Sequence, residues 1–243
     1  TQILELLCNI RATWVSFASI VMFVALGVGL YSGLCWTGQS VKQATNAAYE
    51  EGNLHAFEMA FPYGFTDEDI DAIRSLDGVD AAEPGYASAQ SIELDGKSYS
   101  ASMRSLTRDI DAPTVDEGAL PENDGEIAID SLFASSHGLS VGDSISFAHD
   151  AADDSQSATN GMKYLINDTF KITALVTSPA YLACSTEYFG VSPTGGAIDV
   201  LAYVPETAFN RSAFNDAYVT LEVSSSELRG LDVYSDEYRA KSD

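Results

Sequence analysis

Apolar residues along most of this chain come in short, loosely alternating groups, and one stretch breaks that pattern. Residues 12–41 read ATWVSFASIVMFVALGVGLYSGLCWTGQSV, with no Asp, Glu, Lys or Arg between Arg11 and Lys42. A membrane-crossing helix needs about 20 predominantly apolar residues at roughly 1.5 Å rise each. The run from Trp14 to Trp36 meets that requirement. Trp14 at one end, and Tyr31 and Trp36 at the other, fall where amphipathic rings favour the headgroup layers. A cleaved signal peptide has a shorter apolar core of about 7–15 residues. Ser32-Gly33-Leu34-Cys35 fails as a lipoprotein cleavage site because Leu34 stands where a small residue is required. Residues 12–41 are therefore read as a transmembrane helix. Gly29 and Gly33 are candidate helix-packing residues, because small side chains four apart let a second helix approach closely.

The flanks extend this element. Residues 1–11 carry Ile3, Leu4, Leu6 and Leu7 in a roughly helical stripe, which suits an amphipathic start on the cytoplasmic membrane face. Residues 42–52 have no proline and continue the helix as a stalk, with Gly52-Asn53 as its stop. A soluble domain is expected over 53–234 and the start of a return helix over 235–243.

Within that domain the pattern predicts a short strand over 54–60, ended by a turn at Pro62-Tyr63-Gly64. Thr66 caps a helix whose first turn is acidic, with Ile70, Ile73 and Leu76 as one buried stripe and Gly78 as its end. Residues 79–84 form a strand. Asp95-Gly96 joins the arms 86–94 and 97–103 as a hairpin. Residues 110–121 read as loop, 125–130 as strand, and 131–137 as a helical turn stopped by Gly138. A further strand carries Ile145 and Phe147 inward. Residues 149–160 are expected to be a surface loop. In 170–176, Phe170, Ile172 and Ala174 share a face. Residues 181–196 are loop, 200–204 strand and 205–210 a short helix. In the last strand, 217–223, Tyr218, Thr220 and Glu222 oppose Val219, Leu221 and Val223. Strands and short helices interspersed in this way give a mixed α+β domain, expected as two lobes.

Charge and chemistry narrow the function. The chain has 243 residues and a formal net charge of −24. Such a surface repels phosphate backbones, so nucleic acid is excluded as a partner. Arg11 and Lys42 flank the span on opposite sides and do not decide its orientation, but the acidic excess beyond it favours the exterior. Cys184 is the single cysteine of the soluble part, so a disulfide framework and thiolate zinc sites are both absent there. No G-x-x-x-x-G-K-[ST] loop occurs. Asp67, Asp69 and Asp71 alternate as in a calcium loop, but Ala72 and Gly78 stand where that loop needs Gly and Glu. The motif at 190–195 departs from a nucleophile elbow because its second glycine is displaced. His55, His137 and His149 lack metal-site spacing. No catalytic, metal or cofactor site is expected.

The order of features resembles a known family. Ala25-Leu26-Gly27-Val28-Gly29-Leu30-Tyr31-Ser32-Gly33 at the end of a span, followed by Thr66-Asp67-Glu68-Asp69-Ile70 and Leu76-Asp77-Gly78-Val79, is similar to the opening of FtsX-like and MacB-like ABC-transporter permeases. Leu120-Pro121 before Gly125-Glu126-Ile127-Ala128-Ile129-Asp130, then Gly138-Leu139-Ser140-Val141-Gly142-Asp143-Ser144-Ile145, resembles the run found in their extracytoplasmic domains, and Ser178-Pro179-Ala180-Tyr181 resembles a segment of Gram-positive members. The resemblance implies a multi-pass cell-membrane permease whose large extracytoplasmic domain, a MacB-like periplasmic core domain, lies between its first two membrane helices. It implies three partners: a separate or fused ABC-type ATPase, a second permease copy in a homo- or heterodimer, and the lipid bilayer. ATP-driven motion would serve export, lipoprotein or peptide handling, or control of cell-wall hydrolases, with no turnover in this chain. The alternative from another class is the extracytoplasmic sensor domain of a signalling receptor. Three more closely spaced spans after Asp243 would mark the permease. A membrane-anchored hydrolase, the third reading, predicts turnover by the soluble part.

Overall fold

The computed structural model describes residues 14–148, 163–179, 198–232 and 235–242. The expected amphipathic start at 1–11, the loops at 149–160 and 181–196 with the motif at 190–195, and Cys8, His149 and Cys184 lie outside the described residues. Between Ala47 and Ala48 the chain divides into two compact units, an apolar helix and a strand-rich domain.

Helix α1, Trp14–Glu51, is 38 residues long, about 57 Å at the usual rise. It is long and apolar enough to cross a membrane. Its large side chains, among them Trp14, Ile20, Phe23, Leu30, Tyr31 and Trp36, are each more than half exposed within the chain. The hydroxyls of Ser19 and Thr37 donate to the carbonyls of Val15 and Gly33 one turn back, at 2.9 and 2.8 Å, so neither needs water. The expected span and stalk are one unbroken helix. It gives way to a turn at Gly52, and Asn53 follows in the left-handed region at φ +47°.

The strand-rich unit holds two sheets. The smaller is antiparallel in the order β1-β10-β2, from Phe57–Phe65, Tyr218–Ser225 and Val79–Gly85. Helix α2, Asp67–Arg74, connects β1 to β2 and packs Ile70 against Ala82, Leu221 and Val223. Thr66 closes a capping box with Asp69: its hydroxyl accepts from the Asp69 amide at 3.3 Å, and the Asp69 carboxylate accepts from the Thr66 amide at 2.9 Å. Three expectations need correction. Strand β1 runs through Pro62 as a bulge between Ala60 and Phe65 instead of turning there; an edge strand has one side without ladder bonds, where a missing N–H does no harm. Helix α2 is capped at Ser75, ahead of Gly78. Leu76, beyond that cap, is 59% exposed and does not join the stripe.

The larger sheet runs β5-β8-β6-β9-β4-β3-β7, with β7 pairing back onto β8. Its strands are β3 Ala87–Leu94, β4 Lys97–Ser105, β5 Thr114–Gly118, β6 Glu126–Asp130, β7 Ser144–Ala148, β8 Thr169–Thr177 and β9 Val200–Val204. The ring β8-β6-β9-β4-β3-β7-β8 is thus closed into a six-stranded barrel, which leaves no long free edge. Its interior holds Ile92, Ala101, Met103, Ile127, Ile129, Ile145, Phe147, Phe170, Ile172, Val200, Ala202 and Val204, all buried. Helix α3, Ser131–His137, adds Phe133 and Ala134 to this cluster and ends in Gly138 at φ +66°. The Asp95-Gly96 turn has φ of +53° and +74°, which suits the twist of a two-residue hairpin. Helix α4, Asp236–Ser242, ends the described chain.

Two further expectations fail in the barrel for physical reasons. Residues 110–121 contain strand β5, antiparallel to β8; all five of its residues are exposed, so no burial pattern marks it. The single face expected for Phe170, Ile172 and Ala174 is broken by a register shift at Ile127/Ala128 of β6, opposite which β8 skips Thr173. Past the skip, Leu175 packs on the interior cluster, and Ala174 and Val176 join Leu201 and Tyr203 in a separate one. Where β5 meets β8, Gly118 has φ +85°, and a Cβ there would lie 2.1 Å from the Thr173 carbonyl oxygen. Gly118→Ala is expected to lower stability by about 1–3 kcal/mol, read as a lower urea midpoint. An unchanged midpoint would show that this crossing is not held as described.

Candidate functional site

The small sheet's register sets three carboxylates side by side. Glu58 of β1 is directly opposite Glu222 of β10, and Glu222 is opposite Glu83 of β2. Side chains of directly paired residues project to one face, and like charges so placed repel. The opposite face carries Leu221 and Val223 against α2, so all three glutamates point away from that helix.

Each carboxylate meets the segment that leaves the barrel at the end of β4. Glu83 accepts hydrogen bonds from the backbone amides of Arg108, Asp109 and Ile110 at 2.7, 3.1 and 3.1 Å. Glu58 is ion-paired with Arg104 of β4, whose side chain is 9% exposed. Glu222 is in the middle with Arg104 Nη2 3.8 Å from its Oε1. Its Oε2 is buried without a hydrogen-bond partner, as are Thr107 Oγ1 and Ser224 Oγ. Burial pushes the Glu222 carboxyl up to about 8 against the pull of Arg104, with Asp111 and Glu58 adding to the rise.

The same segment grips the chain ahead of β1. Asp111, at φ +53° and nearly fully buried, accepts from the His55 amide at 2.9 Å and pairs with the His55 ring. The Asn53 side chain donates to the Asp109 carbonyl, and the Asp111 amide donates to the Asn53 carbonyl at 3.4 Å. Burial lowers the His55 pKa, but the hydrogen bond and charge of Asp111, with Glu58 and Glu222 behind it, outweigh burial and leave it raised above 6.5.

An apolar cluster completes the join of sheet and barrel. Tyr86, the single residue between β2 and β3, is fully buried, with ring centroids 5.5 Å from Phe209, 5.0 Å from Phe214 and 5.0 Å from Tyr218. Its amide donates to Ser105 Oγ and its carbonyl accepts from the Ser105 amide, both at 2.9 Å.

Among the described residues no group of three His, Cys, Asp or Glu side chains could hold a metal ion. Gly29 and Gly33 are on α1, and apart from the helix's own backbone and their chain neighbours nothing among the described residues is within 4 Å of where a Cβ would stand. The resembling motifs have structural duties: Glu126 accepts the amides of Glu122 and Asn123 at 2.9 and 3.1 Å, and Asp143 accepts that of Ser140 at 2.9 Å. Sequence reasoning missed the glutamate row and the His55–Asp111 pair. In alternation with Thr220, Glu222 reads as an outward polar residue, and nothing local pairs residues as distant as 58 and 222.

No family model matches this chain, and no curated protein matches it. Among solved structures, the extracellular domain of the noncanonic ABC-type transporter YknZ from Gram-positive bacteria is similar over 75% of this chain and 80% of that one, at 13% identity and a TM-score of 0.41. The periplasmic region of MacB from Actinobacillus actinomycetemcomitans is similar over 76% and 72%, at 11% identity and a TM-score of 0.38.

Proposed function

We propose that this chain is the first membrane helix and extracytoplasmic domain of an ABC-transporter permease subunit, non-enzymatic in itself and driven by a partner ATPase. The observation that carries the reading is α1, one unbroken helix of 38 residues. A bilayer core of about 30 Å takes up roughly 20 of them. The remainder extends outside it and is covalently continuous with β1 through residues 52–56. A mere anchor needs no such extension. The motif resemblance supports the same reading, since its turns at Gly125-Glu126 and Gly142-Asp143 lead into β6 and β7 of the barrel. In this reading the domain is outside the cell membrane, the full-length protein is multi-pass, and the domain couples ATP-driven motion to the handling of an exported or surface substrate.

Purification of the full-length protein from its native membrane is expected to recover a nucleotide-binding subunit and a second permease copy. Recovery without any nucleotide-binding subunit overturns the proposal. Gly29 and Gly33 are proposed as the helix-packing face. Leucine at both positions removes the room for close approach, and about tenfold less of the second copy is then expected to copurify. Unchanged recovery would leave α1 an anchor.

A further inference from the structure

We propose that the row Glu58-Glu222-Glu83 is a proton-operated latch between the small sheet and the barrel: it holds the 104–111 segment, and through it residues 53–55, while Glu222 is neutral, and it loosens when Glu222 ionises. This goes beyond the permease reading and does not depend on it. The groups facing Glu222 come from every element packed on it: Glu58 of β1 with His55 ahead of it, Glu83 of β2, Arg104 of β4, and Asp111 of the segment after β4. With Glu222 neutral and His55 charged, three carboxylates, those of Glu58, Glu83 and Asp111, face two cations. With Glu222 ionised and His55 neutral, four carboxylates face Arg104 alone. The unpartnered Oε2 has no donor to receive that added charge, and water is kept from it.

Both titrations act in one direction. The carboxyl of Glu222 is raised from an ordinary 4.5 to about 8 in the fold, so the stability it contributes is fully present below 4.5 and is lost as pH rises through 8. His55 is raised above 6.5, so its contribution is likewise present at lower pH and lost as pH rises through its folded value. Glu83 grips backbone amides with both oxygens and Asp111 grips His55, so release of the centre frees the ends of the segment together.

The test is amide hydrogen exchange of the full chain in lipid nanodiscs from pH 6.5 to 9, corrected for the intrinsic rate. Protection at residues 53–56 and 105–111 is expected to fall about tenfold or more, while the barrel strands β6 and β8 keep theirs. Glu222→Gln, which cannot ionise, is expected to abolish most of that fall. Equal protection at both ends of the range in the wild type, or an undiminished fall in E222Q, overturns the latch. The infrared carbonyl band of a protonated carboxyl supplies a readout that needs no variant. It is expected at pH 7 and lost by pH 9, and its absence at pH 7 overturns the proposal equally.

Discussion

Arg104→Met is expected to lower the stability of the strand-rich domain by about 3 kcal/mol at neutral pH, because a buried cation that serves two acids is removed while both acids stay. Arg104 comes from the barrel, and Glu58 and Glu222 come from the small sheet. Methionine keeps the packing of the side-chain stem and removes only the charge and the donors. The figure is at the low end for a broken buried pair because Glu58 is 31% exposed and burial raises the Glu222 carboxyl toward its neutral form. Urea unfolding of the full chain in detergent measures it. Adding Glu58→Gln to the variant is expected to return part of the loss, since the uncompensated charge goes with it. A midpoint within error of wild type for the single variant would mean that the seam does not depend on this pair.

Tyr86→Ala is expected to cost about 3–5 kcal/mol, the range for deletion of a large buried aromatic ring. The ring is fully buried where the small sheet hands the chain to the barrel, and Phe209, Phe214 and Tyr218 all stack or tilt against it. These neighbours come from the loops after β9 and from β10, so a cavity there uncouples two sheets at once. The expected observation is a urea midpoint well below wild type, with barrel amides retaining more protection than those of β1, β2 and β10. A loss below about 1 kcal/mol would show that the neighbours collapse into the space.

Much of the local structure was legible because its causes are local. An uncharged run of the right length, up to Val41, is helical in α1 whatever surrounds it. Asp95-Gly96 turns a hairpin because both residues accept positive φ, and Thr66 with Asp69 satisfies the first amides of α2 by itself. Gly138 ends α3 for the same kind of reason. Strand β5, the bulge at Pro62 and the skip at Thr173 were not legible, since each is defined by a partner strand far along the chain. The candidate site was less legible still. His55 is paired with Asp111, 56 positions away, and Arg104 with Glu58, 46 positions away.

By itself, then, the sequence determined the long apolar helix and its extension, the α+β class, the hairpin and the helix caps, because length, charge and short-range backbone preference are properties of neighbouring residues. Only the tertiary structure decided that six strands close into a barrel, and that three glutamates from strands at residues 57–65, 79–85 and 218–225 share one row. Antiparallel register brings residues together by counting along paired strands, and burial then pushes the carboxyl of an ordinary glutamate up to about 8. Neither register nor burial is carried by any single stretch of the chain.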